Sequence, residues 1–296
     1  MRVSPIVRLY QRRESVLPVF ISYTVLTLCA VLVVSPLVFA LLGAFRPIWD
    51  LKTIPPTFIP KELFLGNFLV LFERFPIGRM YFNSLFTTGA IVAGQVLMSA
   101  VAGYVLGKFE FPGREVVFFM ILWTMMIPFF VTVVPLFVMI VSWGWMDTYQ
   151  GLIVPHLFSG FGVFLFRQFV HTIPDDLIDA ARADGASEVR IFAQIAMPLM
   201  LPAVGALAIF TFIWNWGSFF WPLLITNETE MRTIPVALAT LIRQPGMVRT
   251  GGAVGLSEEG IALAGDAIAF IPVLTVFFIF QRYITEGVTL TGLSAN

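Results

Sequence analysis

Long apolar runs separated by short polar segments make up most of this 296-residue chain. A helix needs about 20 apolar residues to cross the hydrocarbon core of a bilayer, and six runs satisfy that length. The runs lie at 17–44, 83–107, 116–143, 150–170, 199–225 and 261–281. They lack the short alternating segments of an outer-membrane barrel, so the pattern predicts an all-α integral membrane protein with six transmembrane helices.

Basic residues before the first run predict the orientation. Four arginines precede it (Arg2, Arg8, Arg12 and Arg13) against one carboxylate, Glu14, and such an excess marks the cytoplasmic side. Both termini are therefore predicted to be cytoplasmic. The resulting division of the chain is a cytoplasmic tail 1–16, a first span 17–44, an external loop 45–82, a five-helix core 83–281 containing a cytoplasmic loop 172–198 and an external loop 226–260, and a cytoplasmic tail 282–296.

Composition agrees with a membrane protein and argues against one class of partner. Hydrophobic residues make up 58% of the chain, charged residues make up 12%, and the formal net charge is zero. A neutral chain whose basic residues are scattered among its loops has no field that attracts nucleic acid. The lipid bilayer is therefore an expected partner, and nucleic acid is not.

A densely charged segment interrupts the apolar pattern between the fourth and fifth runs. Residues 175–198 read DDLIDAARADGASEVRIFAQIAMP. Thr172 is predicted to cap a helix whose first turn carries Asp175 and Asp176, where the helix dipole favours negative charge. Gly185 is expected to supply the left-handed residue that ends this helix after about three turns.

The composition of this segment leaves two interpretations open. Small residues share one face of the predicted helix, since Ala180 and Ala181 lie beside Leu177 at three- and four-residue spacing. That face could approach a partner closely, or the segment could be a solvated helical hairpin whose charges keep it out of lipid. Arg182 could pair within the segment or with a partner.

The spacing within the segment resembles the EAA loop of permease subunits in type I ATP-binding cassette (ABC) importers. That signature is Glu-Ala-Ala, three residues, Gly, nine residues, Ile, one residue, Leu-Pro. It is filled here by Asp179, Ala180, Ala181, Gly185, Ile195 and Pro198, with Asp in place of Glu and Met197 in place of Leu. The resemblance implies that these six residues form the contact with an ATP-hydrolysing subunit.

Other segments are similar to the second permease subunit of maltose-type and glycerol-phosphate-type carbohydrate importers. They are PPTFIP (55–60), NF (67–68), NSL (83–85), KFEFPGR (108–114), DTYQGLIVP (147–155), FLFRQF (164–169), FIWNWGSFFWPL (212–223) and RTIPVAL (232–238). The resemblance implies a permease of the bacterial or archaeal cytoplasmic (inner) membrane. Its implied partners are a homologous permease subunit, two ATP-binding subunits and an extracytoplasmic solute-binding protein.

The implied permease is not an enzyme. The sequence has no GxxxxGK[ST] phosphate-binding loop, so ATP and Mg are expected on the partner subunits. We therefore expect no catalytic residue, no metal site and no cofactor in this chain.

Aromatic and polar residues alternate over 212–223, as a path for sugars requires. Sugars are bound by aromatic faces and by polar groups that read their hydroxyls. Asn215 and Ser218, with Trp216 and Phe219, are predicted to line such a path. The same aromatic residues also fit an interfacial belt at the end of the fifth span.

Two other classes of function are weighed against the permease. A stand-alone ion-coupled secondary carrier needs intramembrane carboxylates, and Asp266 alone qualifies. A membrane enzyme needs clustered catalytic groups, whereas His156 and His171 stand in no such spacing. Pro128 and Pro135 in the third run predict either a gate or a packed kink.

Overall fold

Helices build the protein, whose computed structural model describes residues 16–55, 57–241 and 255–292. The described residues contain no β-strand, so the predicted all-α class is confirmed. The chain divides into two compact units. The first consists of the described parts of Met1–Leu71 and Gly246–Ala267, and the second of those of Phe72–Pro245 and Ile268–Asn296.

Helices make up most of the described residues. The α-helices are α1 (Val16–Gly43), α2 (Ile48–Leu51), α3 (Gly66–Arg74), α4 (Ile77–Lys108), α5 (Arg114–Thr124), α6 (Phe129–Ser142), α7 (Tyr149–Ile153), α8 (Gly160–Val170), α9 (Asp175–Ala183), α10 (Glu188–Ile191), α11 (Met197–Leu199), α12 (Leu201–Trp216), α13 (Phe220–Ile225), α14 (Ile234–Leu241) and α15 (Glu258–Gly292). Two 3₁₀-helices cover Val154–His156 and Thr229–Met231, and a π-helix covers Phe192–Ala196.

Three of these helices are long and apolar enough to cross a membrane, namely Pro18–Gly43, Ile77–Lys108 and Glu258–Phe280. Three pairs meet the same test together but are bent: α5 with α6 by 93°, Tyr149–His156 with α8 by 46°, and Glu188–Leu199 with α12 by 74°. The described ranges therefore hold three spans, or six if each bent pair crosses once. Six is the number that the apolar runs predict.

Proline marks two helix boundaries that differ from the limits of the apolar runs. The helix that contains the run 83–107 already begins at Ile77, because Pro76 is its N-cap and a helix start needs no amide donor there. The run 116–143 is not one helix, since it breaks before Pro128, the N-cap of α6. Pro135 lies inside α6 instead of ending it.

The ends of the last two runs also differ from their predicted positions. The run 199–225 is helical from Leu201 to Trp216, and the separate helix α13 completes it. The final helix starts at Glu258 and reaches Gly292, so the described part of the predicted tail 282–296 is helical. The predicted tail 1–16 lies outside the described residues except for Val16.

The two predicted external loops contain more helix than expected. The segment 45–82 includes α2, α3 and the start of α4, while 226–260 includes α14. Within the first loop, α3 covers Gly66–Arg74. The glycine-rich part of the second loop, at 242–254, lies outside the described residues.

A buried ion pair organises the first unit. Arg46 Nε lies 3.5 Å from Asp50 Oδ2, and both side chains are almost fully buried. The Asp50 carboxylate also accepts hydrogen bonds from the Thr57 hydroxyl and the Lys61 amide. The Asn67 side chain donates to the carbonyls of Ala44 and Arg46. These bonds hold the irregular segment after α1 against α3.

Close packing between α4 and α8 lies at the centre of the second unit. A Cβ atom at Gly103 would lie 2.5 Å from Phe166 Cβ, and one at Gly107 would lie 2.6 Å from Val170 Cγ1. The two glycines are four residues apart and so face α8 together, as in the small-residue contacts of membrane helices. Their missing side chains allow the two helices to touch.

The other end of α4 is fixed by hydrogen bonds to the segment before α14. Asn83 is fully buried, and its Nδ2 donates to Glu230 O at 2.8 Å and to Arg232 O at 3.0 Å. Its Oδ1 accepts from the Tyr149 hydroxyl at 2.7 Å. Ser84 Oγ accepts from the amide of Ile234 at 2.8 Å.

The glycine contact predicts opposite effects of one substitution at two sites in α4. Gly103→Ala should lower the free energy of unfolding by about 1–3 kcal/mol because the added methyl group overlaps Phe166. Gly89→Ala meets no atom within 4 Å and should raise it by up to about 1 kcal/mol through helix propensity. Thermal unfolding of the detergent-solubilised protein measures both. Equal shifts for the two variants would contradict the contact.

Candidate functional site

The 175–198 loop begins with two short helices, α9 and α10, that meet at a glycine turn. Gly185 has φ +80°, which confirms the left-handed residue predicted there. The Ala186 amide donates to Ala181 O and the Gly185 amide to Arg182 O, both at 3.0 Å, which is the Schellman pattern of a helix end. Ser187 then caps α10 by accepting a hydrogen bond from the Arg190 amide. The turn is therefore fixed by local hydrogen bonds.

The start of α9 differs from its prediction. Pro174 is the N-cap, and Thr172 donates its hydroxyl hydrogen to Phe169 O instead of capping the helix. The predicted cap is wrong because the chain before Pro174 still belongs to the turn that follows α8. Asp175 does lie in the first turn, where Lys108 Nζ donates to its Oδ1 at 2.6 Å. This hydrogen bond lowers the pKa of Asp175 below its usual value.

Arg182 joins the two helices of the loop. Its guanidinium lies 2.7 Å from Glu188 Oε1 and 3.0 Å from Asp179 Oδ1. The hydrogen bond to Glu188 is the largest cause of a raised Arg182 pKa. The sequence left open whether Arg182 pairs within the loop or with a partner, and the structure contains the pairing within the loop.

The loop has an apolar inner side that packs on the ends of the long helices. Ile178 and Ile191 are buried in one cluster with residues of α4, α8 and α12. The buried members of this cluster are Ala100, Tyr104, Phe166, Val170, Ile173, Ile178, Ile191, Ala196, Met200, Ala203 and Leu207. Burial of these side chains fixes which face of the loop points away from the bundle.

The outer side of the loop carries most of the residues of the EAA-like pattern. Asp179, Ala180, Gly185 and Pro198 are exposed. Ala181 and Ile195 are half-buried and line a groove of about 260 Å³. Asp184, Ala186, Arg190, Ile191 and Gln194 complete its lining. Two of the six pattern residues, Ala181 and Ile195, thus line the groove, and the other four are exposed on the same loop.

A small polar cavity lies between α4, α7 and α12, and two of the four predicted path residues line it. Asn215 and Ser218 face it together with hydroxyls of α4 and with Thr233. Its full lining is Ser84, Thr87, Thr88, Ile91, Leu152, His156, Asn215, Ser218, Trp221, Pro222 and Thr233. The cavity measures about 20 Å³, which is room for one water molecule. Thr233 Oγ1 is buried there without a hydrogen-bond partner.

The other two predicted path residues lie elsewhere. Trp216 is buried against Tyr81 and Phe212, and its Nε1 donates to Ala269 O at 2.9 Å. Phe219 is 39% exposed and does not line the cavity. Asn215 and Ser218 therefore line one cavity, and Trp216 and Phe219 do not belong to its lining.

The ionisable residues considered for a carrier or an enzyme include His156 and Asp266. His156 packs edge-on against Trp221, and Asp266 is exposed on α15. Among the described residues, no group of three or more His, Cys, Asp or Glu side chains could hold a metal ion.

Sequence reasoning missed several residues that position this site. Lys108 and Tyr104 contact the loop from α4, while Gln95 joins Thr211 of α12 to the carbonyl of His156. The Gly-x-x-x-Gly spacing of Gly103 and Gly107 was a readable signal for the α4–α8 contact. Lys108 gave no such signal, because a single lysine at a helix end is as compatible with solvent exposure as with an ion pair.

Comparison with known proteins identifies relatives over most of the chain. A profile of the family described as binding-protein-dependent transport system inner membrane component matches residues 99–290. The arabinooligosaccharides transport system permease protein AraQ of Halalkalibacterium halodurans is 35% identical over 267 residues, which cover 89% of this chain and 92% of that protein. The sn-glycerol-3-phosphate transport system permease protein UgpE of Escherichia coli O1:K1 / APEC is 32% identical over 272 residues, which cover 90% and 94%.

The fold also matches a solved structure. A chain in the crystal structure of a bacterial ABC transporter involved in the import of the acidic polysaccharide alginate superposes with a TM-score of 0.81 at 20% identity, covering 96% of this chain and 99% of that one. At this identity the match establishes the fold alone, which is that of a type I ABC importer permease. Taken with the profile and the sequence relatives, it shows that the chain belongs to the family of binding-protein-dependent transport system inner membrane components, the permeases of ABC importers.

Proposed function

We propose that this permease forms half of a translocation path for a carbohydrate or related polyol and is driven through its 175–198 loop. In this proposal it pairs with a homologous permease and with two ATP-binding subunits, and an extracytoplasmic solute-binding protein delivers the solute. The observation that carries the proposal is the groove of the loop, which Ala181 and Ile195 of the EAA-like pattern line, while Ala180 and Gly185 of the pattern are exposed on the same loop.

The loop has the mechanical properties that a docking element needs. Its inner side is held by buried isoleucines, its turn by the Schellman hydrogen bonds, and its two helices by Arg182. Its outer side presents Ala180 and Gly185, whose small size lets a partner surface approach the backbone. When the ATP-binding subunits close, a loop of this kind moves as a near-rigid body together with the helices on which it packs.

We assign ATP hydrolysis to the partner subunits and no catalytic role to this chain. The sequence has no phosphate-binding glycine loop, so ATP and Mg belong to the partners in this proposal. The same arrangement puts the 175–198 loop and both termini in the cytoplasm, in agreement with the arginines before α1. Membership of the importer family disfavours the alternative of a stand-alone ion-coupled carrier.

The solute class rests on the relatives and on the polar cavity. Relatives that are 35% and 32% identical are named for arabinooligosaccharide and glycerol-phosphate transport. The cavity offers hydroxyl and amide groups that suit a polyhydroxylated solute, but at about 20 Å³ it is closed to a sugar ring. Asn215 and Ser218 would reach the solute only when α12 moves away from α4.

The decisive experiment identifies the solute of the intact importer. The complex is purified through a tag on this chain, its subunits are identified by mass spectrometry, and the cognate binding protein is titrated with arabinotriose, maltotriose and sn-glycerol 3-phosphate. We expect one of these compounds to bind and to be taken up by proteoliposomes only with ATP inside. ATP-independent uptake by the purified chain alone would contradict the proposal.

Replacement of the loop glycine should separate ATP hydrolysis from uptake. Gly185 and Gly113 both have left-handed φ angles, of +80° and +84°, and neither has an atom within 4 Å of an added Cβ. Valine therefore costs about 1–2 kcal/mol of backbone strain at either site. Gly185→Val should lower uptake by about tenfold or more, because the valine side chain stands on the proposed docking face. A tenfold loss corresponds to about 1.4 kcal/mol of free energy. Gly113→Val, with matched strain, should keep most of the uptake.

Proteoliposomes with assembled complexes measure uptake and ATP hydrolysis for both variants. Subunit co-purification shows that each variant still assembles. Equal losses of uptake in Gly185→Val and Gly113→Val would show that strain alone explains the effect, and the docking assignment would then fail.

The cavity residues should influence transport without controlling assembly. Asn215→Ala and Ser218→Ala remove groups that line the cavity and should each reduce uptake about three- to tenfold, the size expected for one lost hydrogen bond. Trp214→Leu is the control on the same helix, since Trp214 is 82% exposed and lies outside the cavity lining. Initial uptake rates at several solute concentrations measure the effect. A larger loss in Trp214→Leu than in both cavity variants would refute the assigned path.

A further inference from the structure

A buried lysine connects the last turn of α4 to the first turn of α9. Lys108 Nζ lies 2.6 Å from Asp175 Oδ1 and also donates to Ile173 O at 2.6 Å. The lysine side chain is 6% exposed, whereas that of Asp175 is 81% exposed. An ion pair between two mobile surface side chains contributes little. Here the lysine is enclosed and bonded to a backbone carbonyl, so its ammonium group is a fixed point for the start of α9.

Both partners stand at helix ends that favour their charge. Lys108 is in the last turn of α4, where the helix dipole is negative, and Asp175 is in the first turn of α9, where it is positive. The carboxyl end of α4 thus meets the amino end of α9 through a single ion pair. Such a contact depends on direction, unlike the apolar packing of Ile173 and Ile178 beside it, which tolerates sliding.

A second contact between α4 and the 175–198 loop lies one turn earlier on the same face of α4. The Tyr104 hydroxyl lies 3.5 Å from Glu188 Oε2, and the Tyr104 ring packs against Phe192 with 5.3 Å between centroids. Glu188 in turn binds Arg182 of α9. Two residues of α4, four apart, therefore hold both halves of the loop.

We propose that Lys108 and Asp175, with Tyr104 as a second contact, form the joint through which α4 follows the 175–198 loop when the ATP-binding subunits close. The inference rests on the proposed function, in which that loop is the docking element. Lys108 and Asp175 are positioning residues, because they act by keeping two helices in register and do not touch the solute. Without the ion pair, α9 moves with its ATP-binding partner while α4 lags behind.

The distance between spin labels on the two helices of the assembled importer tests the joint. Ala183→Cys on α9 and Val105→Cys on α4 carry the labels, since both positions are exposed, and Cys29→Ser removes the native cysteine. Pulsed electron paramagnetic resonance gives the distance without nucleotide and with ATP, Mg and vanadate. With the joint intact, the two distances should agree within about 2 Å. Lys108→Met and Asp175→Asn should each shift or broaden the ATP-state distance by about 4 Å or more.

Three further variants separate the joint from a general structural defect. Lys108→Arg keeps a cation at the end of α4 and should restore the undisturbed distance. Asp176→Asn removes the neighbouring exposed carboxylate, which forms no ion pair with any described residue, and should change nothing. The double variant of Lys108→Met and Asp175→Asn should show the shift of either single variant, because both remove the same bond. Complexes are measured only after co-purification with the ATP-binding subunits.

The outcomes distinguish the joint from the proposed function. Undisturbed distances in both Lys108→Met and Asp175→Asn would overturn the joint, even where Gly185→Val uncouples uptake. A shift in Asp176→Asn equal to that in Asp175→Asn would overturn it as well, because loop charge and not the ion pair would then be responsible. If Gly185→Val transports as well as Gly113→Val, the proposed docking role of the loop is contradicted, and the role of the joint is contradicted with it.

Discussion

The close contact of α4 with α8 is the constraint on which the second unit depends. Gly103 and Gly107 let the backbones approach at the points where Phe166 and Val170 press against α4. In lipid, apolar side chains gain little by leaving the solvent, so helices associate through close packing and hydrogen bonds. The 175–198 loop follows directly from the end of α8, and its inner isoleucines pack on the cluster that this contact creates. The position of the loop is therefore set inside the bundle.

Charge in the loop is divided between internal and outward functions. Asp175, Asp179 and Glu188 are bound by Lys108 and Arg182, so these carboxylates serve the internal geometry. In the proposed docking, the exposed pattern residues left for a partner are Ala180, Gly185 and Pro198. Contact with such residues depends less on salt than a field of surface charges does.

The apolar runs predicted the helical class, and the glycine at the end of the charged helix predicted the left-handed residue at Gly185. Such features follow from local chemistry, which a single sequence displays. Breaks near Pro128 and after Trp216 were harder to predict, since an apolar run reads alike whether it is straight or bent. Trp216 shows the same limit at the level of the site. An aromatic ring next to Asn215 suits a sugar path, yet the indole nitrogen of Trp216 donates a hydrogen bond to Ala269 O on α15. Lys108 was missed because its partner is 67 residues away in the chain.

The length of α4 makes the protein responsive to its lipid surroundings. From Asn83 to Lys108 the helix rises about 38 Å, at 1.5 Å per residue, and a typical hydrocarbon core is about 30 Å thick. This stretch of α4 is tied by polar bonds at Asn83 to the carbonyls of Glu230 and Arg232 and at Lys108 to Asp175. A helix fixed in this way absorbs a change in bilayer thickness by tilting as a whole. In the proposed importer, membrane thickness would therefore act on the 175–198 loop through the tilt of α4, as a mechanical input separate from ATP.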